Sequence, residues 1–307
     1  MKVKDESPRR NLPLRDLMRR AYQRQVLVPA FNAAYPEMVE PIAEAVQAAG
    51  SFALVEVARP DIERFGAESY AVVKQAFDRV ADRGHLRLHQ DHVPVVDEEG
   101  QQVDYRALLD EALALGYDSV MIDASRLVFA DNVRVTAEVV ALAHPVPVEA
   151  ELGAVLGHEA GPLPPYEELF ATGRGFTDVA QAAQFVAETG VDWLSVAIGN
   201  VHGAVQGAGK DGDKISARLS LARLKEIAAR TSIPLVLHGG SELPAAAVRE
   251  ACRSGITKIN IGTAIRQAYE RTLREHGQVA RAQEAVAQVV TRHLEDYAII
   301  GSADHLG

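Results

Sequence analysis

The residues of this chain that could do chemistry are histidines and carboxylates, and they gather at the ends of short apolar runs. His89, Asp91 and His92 close one run, Asp123 and Ser125 the next, and Glu149 and Glu151 lie in the one after it. Asn200 and His202 follow a further run, while His238, Gly239, Gly240 and Ser241 end another. Asn32 closes the first run, and Asn260 and Thr263 belong to the last. Polar groups on buried strands are costly unless paired, so packing is a poor reason for so many of them. His92, His202 and His238 come from three different runs and could bring three neutral imidazoles to one point. Three protein ligands with an open position is the pattern of a catalytic zinc site. A lone histidine is more often a satisfied core residue, but three at matching places reverse that balance.

Two details stay open at the level of spacing. Along His89-Gln90-Asp91-His92, strand alternation puts His89 and Asp91 on one face and Gln90 and His92 on the other. The run is expected to bend at its end, so alternation does not decide which histidine takes a metal. Asp91 reads equally as a general acid/base and as a capping or metal-supporting carboxylate. His238-Gly239-Gly240-Ser241, followed by a helix from Pro244, is a candidate phosphate cradle. Glycines admit close backbone approach, and a helix N-terminus favours an anion. An ordinary Gly-rich turn is the alternative. Thr263, opening the next helix, would add a donor. Lys258 could form a Schiff base but reads more simply as structural. Cys252 reads as a small buried apolar residue.

The elements that must position these groups alternate. Eight apolar runs begin at Val26, Phe52, Leu86, Tyr117, Val146, Trp193, Pro234 and Ile256. Helical patterns lie between them, at 36–49, 103–115, 178–189, 219–229 and 244–253, several closed by glycine. Continuous apolar strands with helical crossovers predict a parallel sheet covered outside. Eight repeats in about 250 residues predict a single (β/α)8 TIM barrel over 1–307, with an extra C-terminal helix at 278–297. A doubly wound sheet is the runner-up, but no GxGxxG follows the first strand. Barrel chemistry sits at the C-terminal strand ends, where these polar residues fall. The Gly- and Pro-rich segment 156–176 reads as a long functional loop.

Composition narrows the class. The 307 residues are 48% hydrophobic and carry a net charge of -10 with ten neutral histidines, a poor balance for nucleic-acid binding. One cysteine excludes an intramolecular disulfide and a multi-cysteine zinc module. The longest apolar runs fall short of the roughly 20 residues that span a bilayer. The charged N-terminus lacks the apolar core of a signal peptide. A cytoplasmic protein without membrane partners is the expectation.

Six ordered motifs add a resemblance. LHQDH, GYDSVMIDAS, VPVEAELG, SVAIGNVHG, PLVLHGGS and KINIGT, framed by PAFN and the final IIGSADHLG, resemble the class II, metal-dependent ketose-bisphosphate aldolases of the fructose- and tagatose-bisphosphate group. The resemblance runs over nearly the whole chain. It implies Zn2+ held by His92, His202 and His238, with Glu151 reaching a second metal position and Asp123 close by. It leaves room for another divalent metal and for a monovalent cation. It implies that Asp91 moves the proton of the C4 hydroxyl and that Glu159, on the 156–176 loop, moves a proton at dihydroxyacetone phosphate. Gly203, Gly240, Ser241, Asn260 and Thr263 correspond to the dihydroxyacetone-phosphate site. The implied reaction is reversible cleavage of fructose 1,6-bisphosphate to dihydroxyacetone phosphate and glyceraldehyde 3-phosphate. Tagatose bisphosphate or another anionic sugar is the close alternative, and a non-catalytic phosphosugar-binding subunit the distant one. A homo-oligomer is expected.

The chain also departs from that pattern. Val93 replaces a small residue, Leu156-Gly157-His158 stands where paired glycines are usual, and Glu242 replaces a glycine. Gly262 stands where fructose-bisphosphate enzymes favour Asp and tagatose-type enzymes often have Ala. On the second strand Ala58 replaces a serine, between Glu56 and Arg59. Arg59 is a candidate for the far phosphate through charge-assisted bonds. These changes bear on substrate more than on reaction type.

Overall fold

Each of the eight apolar runs forms one strand. They are β1 (Val28–Asn32), β2 (Ala53–Ala58), β3 (Leu86–Pro94), β4 (Ser119–Asp123), β5 (Val148–Leu152), β6 (Trp193–Val196), β7 (Leu235–Leu237) and β8 (Ile256–Ile261). The computed structural model describes residues 8–154, 166–200, 218–240 and 243–307. Each strand pairs in parallel with the next, and β8 pairs with β1, so the sheet closes into a barrel in sequence order. Helices follow the strands on the outside, which is the (β/α)8 arrangement.

Strand parity divides the core in two. Phe31, Val55, Leu88, Ile122, Ala150, Leu194, Leu237 and Ile259 point outward into the layer between sheet and helices. Val28, Ala30, Leu54, Trp193 and Val236 point inward and fill the lower barrel. A one-residue slip in any strand would exchange these sets, so the apolar pattern locks the register. The helix Leu14–Arg24 was not expected from spacing. It packs Leu14, Leu17, Met18 and Ala21 against the inward cluster and closes the barrel floor. Leu17 is fully buried there. Leu17→Ala is therefore expected to cost about 2–5 kcal/mol, read as a lower denaturant midpoint. An unchanged midpoint would mean that this helix is not part of the cooperative core.

Local signals place the helices close to expectation. Tyr105–Leu115 starts two residues later than the apolar spacing, because the Asp104 side chain caps it by accepting from Ala107 N at 3.2 Å. Asp178 caps Val179–Thr189 by accepting from Ala180 N and Gln181 N, both at 2.9 Å. The predicted C-terminal helix is Val279–Asp296, packed on Val39–Ala48 and Thr263–His276. One expectation needs correction. The described end of segment 156–176 is not loop throughout, since Tyr166–Thr172 is helical. Leu169 is buried there, and Phe170 packs between Tyr166 and Phe176. Among the described residues, no helix is long and apolar enough to cross a membrane.

Candidate active site

Below the barrel rim the inward positions turn from apolar to polar. Glu56 on β2, His89 on β3, Glu149 on β5 and Lys258 on β8 are all fully buried. Lys258 Nζ lies 3.0 Å from Glu149 and 3.2 Å from Glu56, and donates to Asn260 Oδ1 at 2.7 Å. Glu149 in turn accepts from Trp193 Nε1 at 2.7 Å and bonds His238 Nε2 at 2.9 Å. His89 Nδ1 bonds Ser119 Oγ at 2.7 Å. Burial pushes the Glu56 carboxyl up to about 8, helped by Asp91 and only partly opposed by Lys258. Glu56 is thus mostly protonated at neutral pH despite its short distance to the lysine. Glu149 carries the balancing charge. Burial alone would raise it, but Lys258 and His238 hold it well below the usual carboxylate range. Burial would lower Lys258, but Glu149 above all holds it above its ordinary value. An ammonium held this firmly is not the neutral amine that a Schiff base needs.

At the rim, β3 breaks its own alternation. Gln90 pairs with Val120 and Val93 with Ile122, so β3 uses one more residue than β4 across this stretch. This is a bulge, with His92 at φ 40°. Gln90 faces outward and donates to Leu108 O at 2.9 Å. Asp91 keeps its inward position beside His89, at 3.8 Å, and the bulge turns His92 inward as well. His92 stacks edge-on against His238 with ring centroids 4.4 Å apart. Its Nδ1 lies 3.7 Å from Asp123 Oδ2. Val93 is then an outward core residue, fully buried against the helices.

These side chains form donor groups suited to a metal. One ligating atom each of Asp91, His92 and His238 lies within 4.8 Å of the others, and so do those of His92, Asp123 and Glu151. Glu151 Oε2 lies 3.3 Å from His238 Nδ1 and accepts from Ser195 Oγ at 3.3 Å. Burial lowers the proton affinity of His92, but Asp91, Asp123 and Glu151 outweigh it and push it up to about 10. His238 is pushed up to about 9, since Glu149 and Glu151 overcome burial and the charge on His92. Burial would raise Asp123, yet its bonds to His92 and Ser125 hold it to about 2. Asp91 is also held below its usual range, because His92, Lys258 and His238 overcome burial. A field that keeps protons on two imidazoles is one that a divalent cation satisfies in their place. His89 is the contrast. Burial and Lys258 push it down to about 3, so it stays neutral.

The rest of the rim is partly placed. Asn260 Nδ2 donates to Asp91 Oδ1 at 3.0 Å, so Lys258 orients Asn260 and Asn260 orients Asp91. Gly240 lies where a Cβ would come within 2.5 Å of the Ile259 side chain, so a bare glycine is needed there for packing against β8. Thr263 is the first residue of the helix Thr263–His276, as expected. Asn200 Nδ2 donates to His238 O at 3.1 Å and ties the turn after β6 to β7. Asn32 stands at the end of β1 and donates to Asp61 Oδ2 at 3.3 Å. Arg59 pairs with Glu63 at 2.6 Å and Asp97 at 3.6 Å. Glu159, His202, Gly203 and Ser241 lie outside the described residues. Sequence reasoning assigned no role to Glu56, Glu149 or His89, although their inward parity marks them. It missed Asp61, whose helix position carries no such mark.

A parallel barrel with imidazoles and carboxylates converging on its C-terminal rim is the architecture of a catalytic barrel able to hold a divalent cation. The chain belongs to the class-II fructose-bisphosphate aldolase family, which matches residues 12–305. It is 40% identical over 167 residues to a fructose-bisphosphate aldolase of Staphylococcus epidermidis, covering 54% of this chain and 53% of that protein. It is 37% identical over 191 residues to a 6-phospho-5-dehydro-2-deoxy-D-gluconate aldolase of Halalkalibacterium halodurans, covering 62% of this chain and 57% of that protein. These matches span only about half the length of the curated relatives. The crystal structure of the YdjI aldolase from Escherichia coli K12 matches with a TM-score of 0.74 at 26% identity, covering 94% of this chain and 98% of that one.

Proposed function

We propose that the chain is a metal-dependent aldolase that cleaves a ketose phosphorylated at C1 into dihydroxyacetone phosphate and an aldehyde. Fructose 1,6-bisphosphate is the reference substrate, and tagatose bisphosphate or another anionic sugar the alternative. The observation that carries the reading is the placing of Asp91 beside His92 and His238, with ligating atoms within 4.8 Å. A proton acceptor then lies next to a site for an electrophile. His92 and His238, with His202, would hold the cation, and Glu151 and Asp123 would offer a neighbouring position. A bound divalent cation would polarise the ketone carbonyl.

The chain's own residues would do the rest. As the C3–C4 bond breaks, Asp91 takes the proton of the C4 hydroxyl and C4 becomes the aldehyde carbon. The bond pair passes to the ketone half, which is then protonated at C3. Glu159 is the proposed donor for that proton. Asn260 holds Asp91 oriented and ionised through its 3.0 Å bond. Gly240, with Gly203, Ser241 and Thr263, would receive the phosphate through backbone amides and hydroxyls.

The test is a cleavage assay on zinc-reconstituted protein across fructose and tagatose bisphosphates and the corresponding 1-phosphates. A chelator should abolish turnover and zinc should restore it, whereas borohydride added with substrate should leave turnover intact. The reverse pattern would move the chemistry to Lys258. Zero turnover on every substrate with zinc bound would favour a phosphosugar-binding subunit.

A further inference from the structure

The rim between β8, β1 and β2 holds a feature that the proposed reaction does not use. Asp61 sits in the short helix Arg59–Glu63 that follows β2, and is only 7% exposed. Its Oδ2 accepts from Ala58 N at 2.8 Å and from Asn32 Nδ2 at 3.3 Å. No hydrogen bond to its Oδ1 is formed among the described residues. Burial pushes its carboxyl up to about 6, which still leaves it ionised above neutral pH. Because Asn32 aims its amide nitrogen at Asp61, its Oδ1 is turned toward Gly262. A Cβ at residue 262 would lie 2.9 Å from that oxygen. The bare glycine and the Asp61 bond therefore support one orientation of Asn32.

The chemistry of this corner is one-sided. It offers two acceptor oxygens, one of them on a carboxylate, against the one remaining N–H of Asn32, and the acceptors would take hydrogen bonds from hydroxyls. A phosphate, itself an acceptor and an anion, would be repelled. Among the described residues, two nearby cations are already matched. Arg59 pairs with Glu63 and Asp97, and Arg266 bonds both oxygens of Glu270 at 3.0 and 2.9 Å while lying over the Phe65 ring. Ala58, at the end of β2, pairs in register with Asp91, so the corner adjoins the residue proposed to act at C4.

Resting on the aldolase reading above, we infer that Asp61 is a positioning and specificity residue. Acting directly and through Asn32, with Gly262 giving the room, it selects an aldehyde half whose end is neutral and hydroxylated, not phosphorylated. The natural substrate then carries its phosphate on the dihydroxyacetone side alone.

The experiment is aldol condensation by the zinc-loaded full chain. Dihydroxyacetone phosphate is supplied with either glyceraldehyde or glyceraldehyde 3-phosphate. Wild type should show a kcat/KM for glyceraldehyde at least equal to that for the phosphorylated aldehyde. Asp61→Asn should raise the KM for glyceraldehyde about tenfold, the worth of one charged hydrogen bond, with kcat within threefold. It should leave the KM for glyceraldehyde 3-phosphate unchanged or lower. Gly262→Ala should raise the same KM by displacing Asn32, and the double variant should rise less than the product of the two. A wild-type preference of tenfold or more for glyceraldehyde 3-phosphate would overturn the inference. So would a loss in Asp61→Asn that strikes kcat equally for both aldehydes. If Asp61→Asn does not fold, Gly262→Ala decides by the same KM criterion. Condensation with neither aldehyde by wild type would instead sink the aldolase reading, and this inference with it.

Discussion

Asp91→Ala is expected to keep its metal and lose roughly 10²–10⁴-fold in cleavage rate, the span of a positioned general acid/base. The argument is geometric. Asp91 lies on an inward strand position, held by Asn260 at 3.0 Å and kept below its usual range by His92, Lys258 and His238. His89 at 3.8 Å and Lys258 at 4.0 Å keep their shorter bonds to Ser119 and Glu149, so the fold should survive its removal. Elemental analysis would read the metal, and a thermal melt the fold. Asp91→Asn is the companion variant, since it keeps the shape and the neighbour of the carboxylate but cannot take a proton. It should be nearly as slow as the alanine variant. Near-normal turnover in either would remove Asp91 from the chemistry. Loss of metal along with activity would make it a supporting carboxylate for the cation, the other role left open by its spacing.

Lys258→Met should carry the largest stability cost of any single change at the site. Lys258 is fully buried and is the cation that balances Glu149 at 3.0 Å. Removing one partner of a buried pair strands the other, at about 3–5 kcal/mol. Denaturant unfolding at neutral pH would measure it. Lys258→Met combined with Glu149→Gln should recover part of the loss, because the stranded charge is gone. Glu56→Gln alone should cost little, since burial already keeps Glu56 mostly protonated. A Lys258→Met variant as stable as wild type would show that the interior charge is compensated in another way.

The sites that were legible in the sequence were those where one strong rule acts alone. The apolar runs located the eight strands and the spacing located six helices to within a few residues, while Tyr70–Val80 and Phe129–Ala143 were not among those expected. Strand ends in a parallel barrel collect chemistry, and that rule singles out Asp91, His92, Asp123, Glu151, His238 and Asn260 from residue order alone. The floor helix Leu14–Arg24 escaped notice because it packs against the inside of a barrel, a partner that exists only once the strands close. Arg59 was legible as a charge but not as a paired one, since Glu63 and Asp97 reach it from its own helix and from the loop after β3. Asp61 was invisible for the same reason. Its meaning comes from Asn32 and Gly262, 29 residues before it in the chain and far beyond it.

By itself, then, the order of residues determined the architecture and the set of reactive groups. Hydrophobic periodicity and turn chemistry are local, and they repeat eight times. Only the tertiary structure decided how those groups face one another. A single extra residue in β3 turns His92 inward beside Asp91, a choice that strand alternation leaves open. The protonation of Glu56, Glu149 and His89 depends on Lys258 and on depth below the rim, neither of which spacing encodes. Distance and dielectric set those charges, and both are properties of the closed barrel.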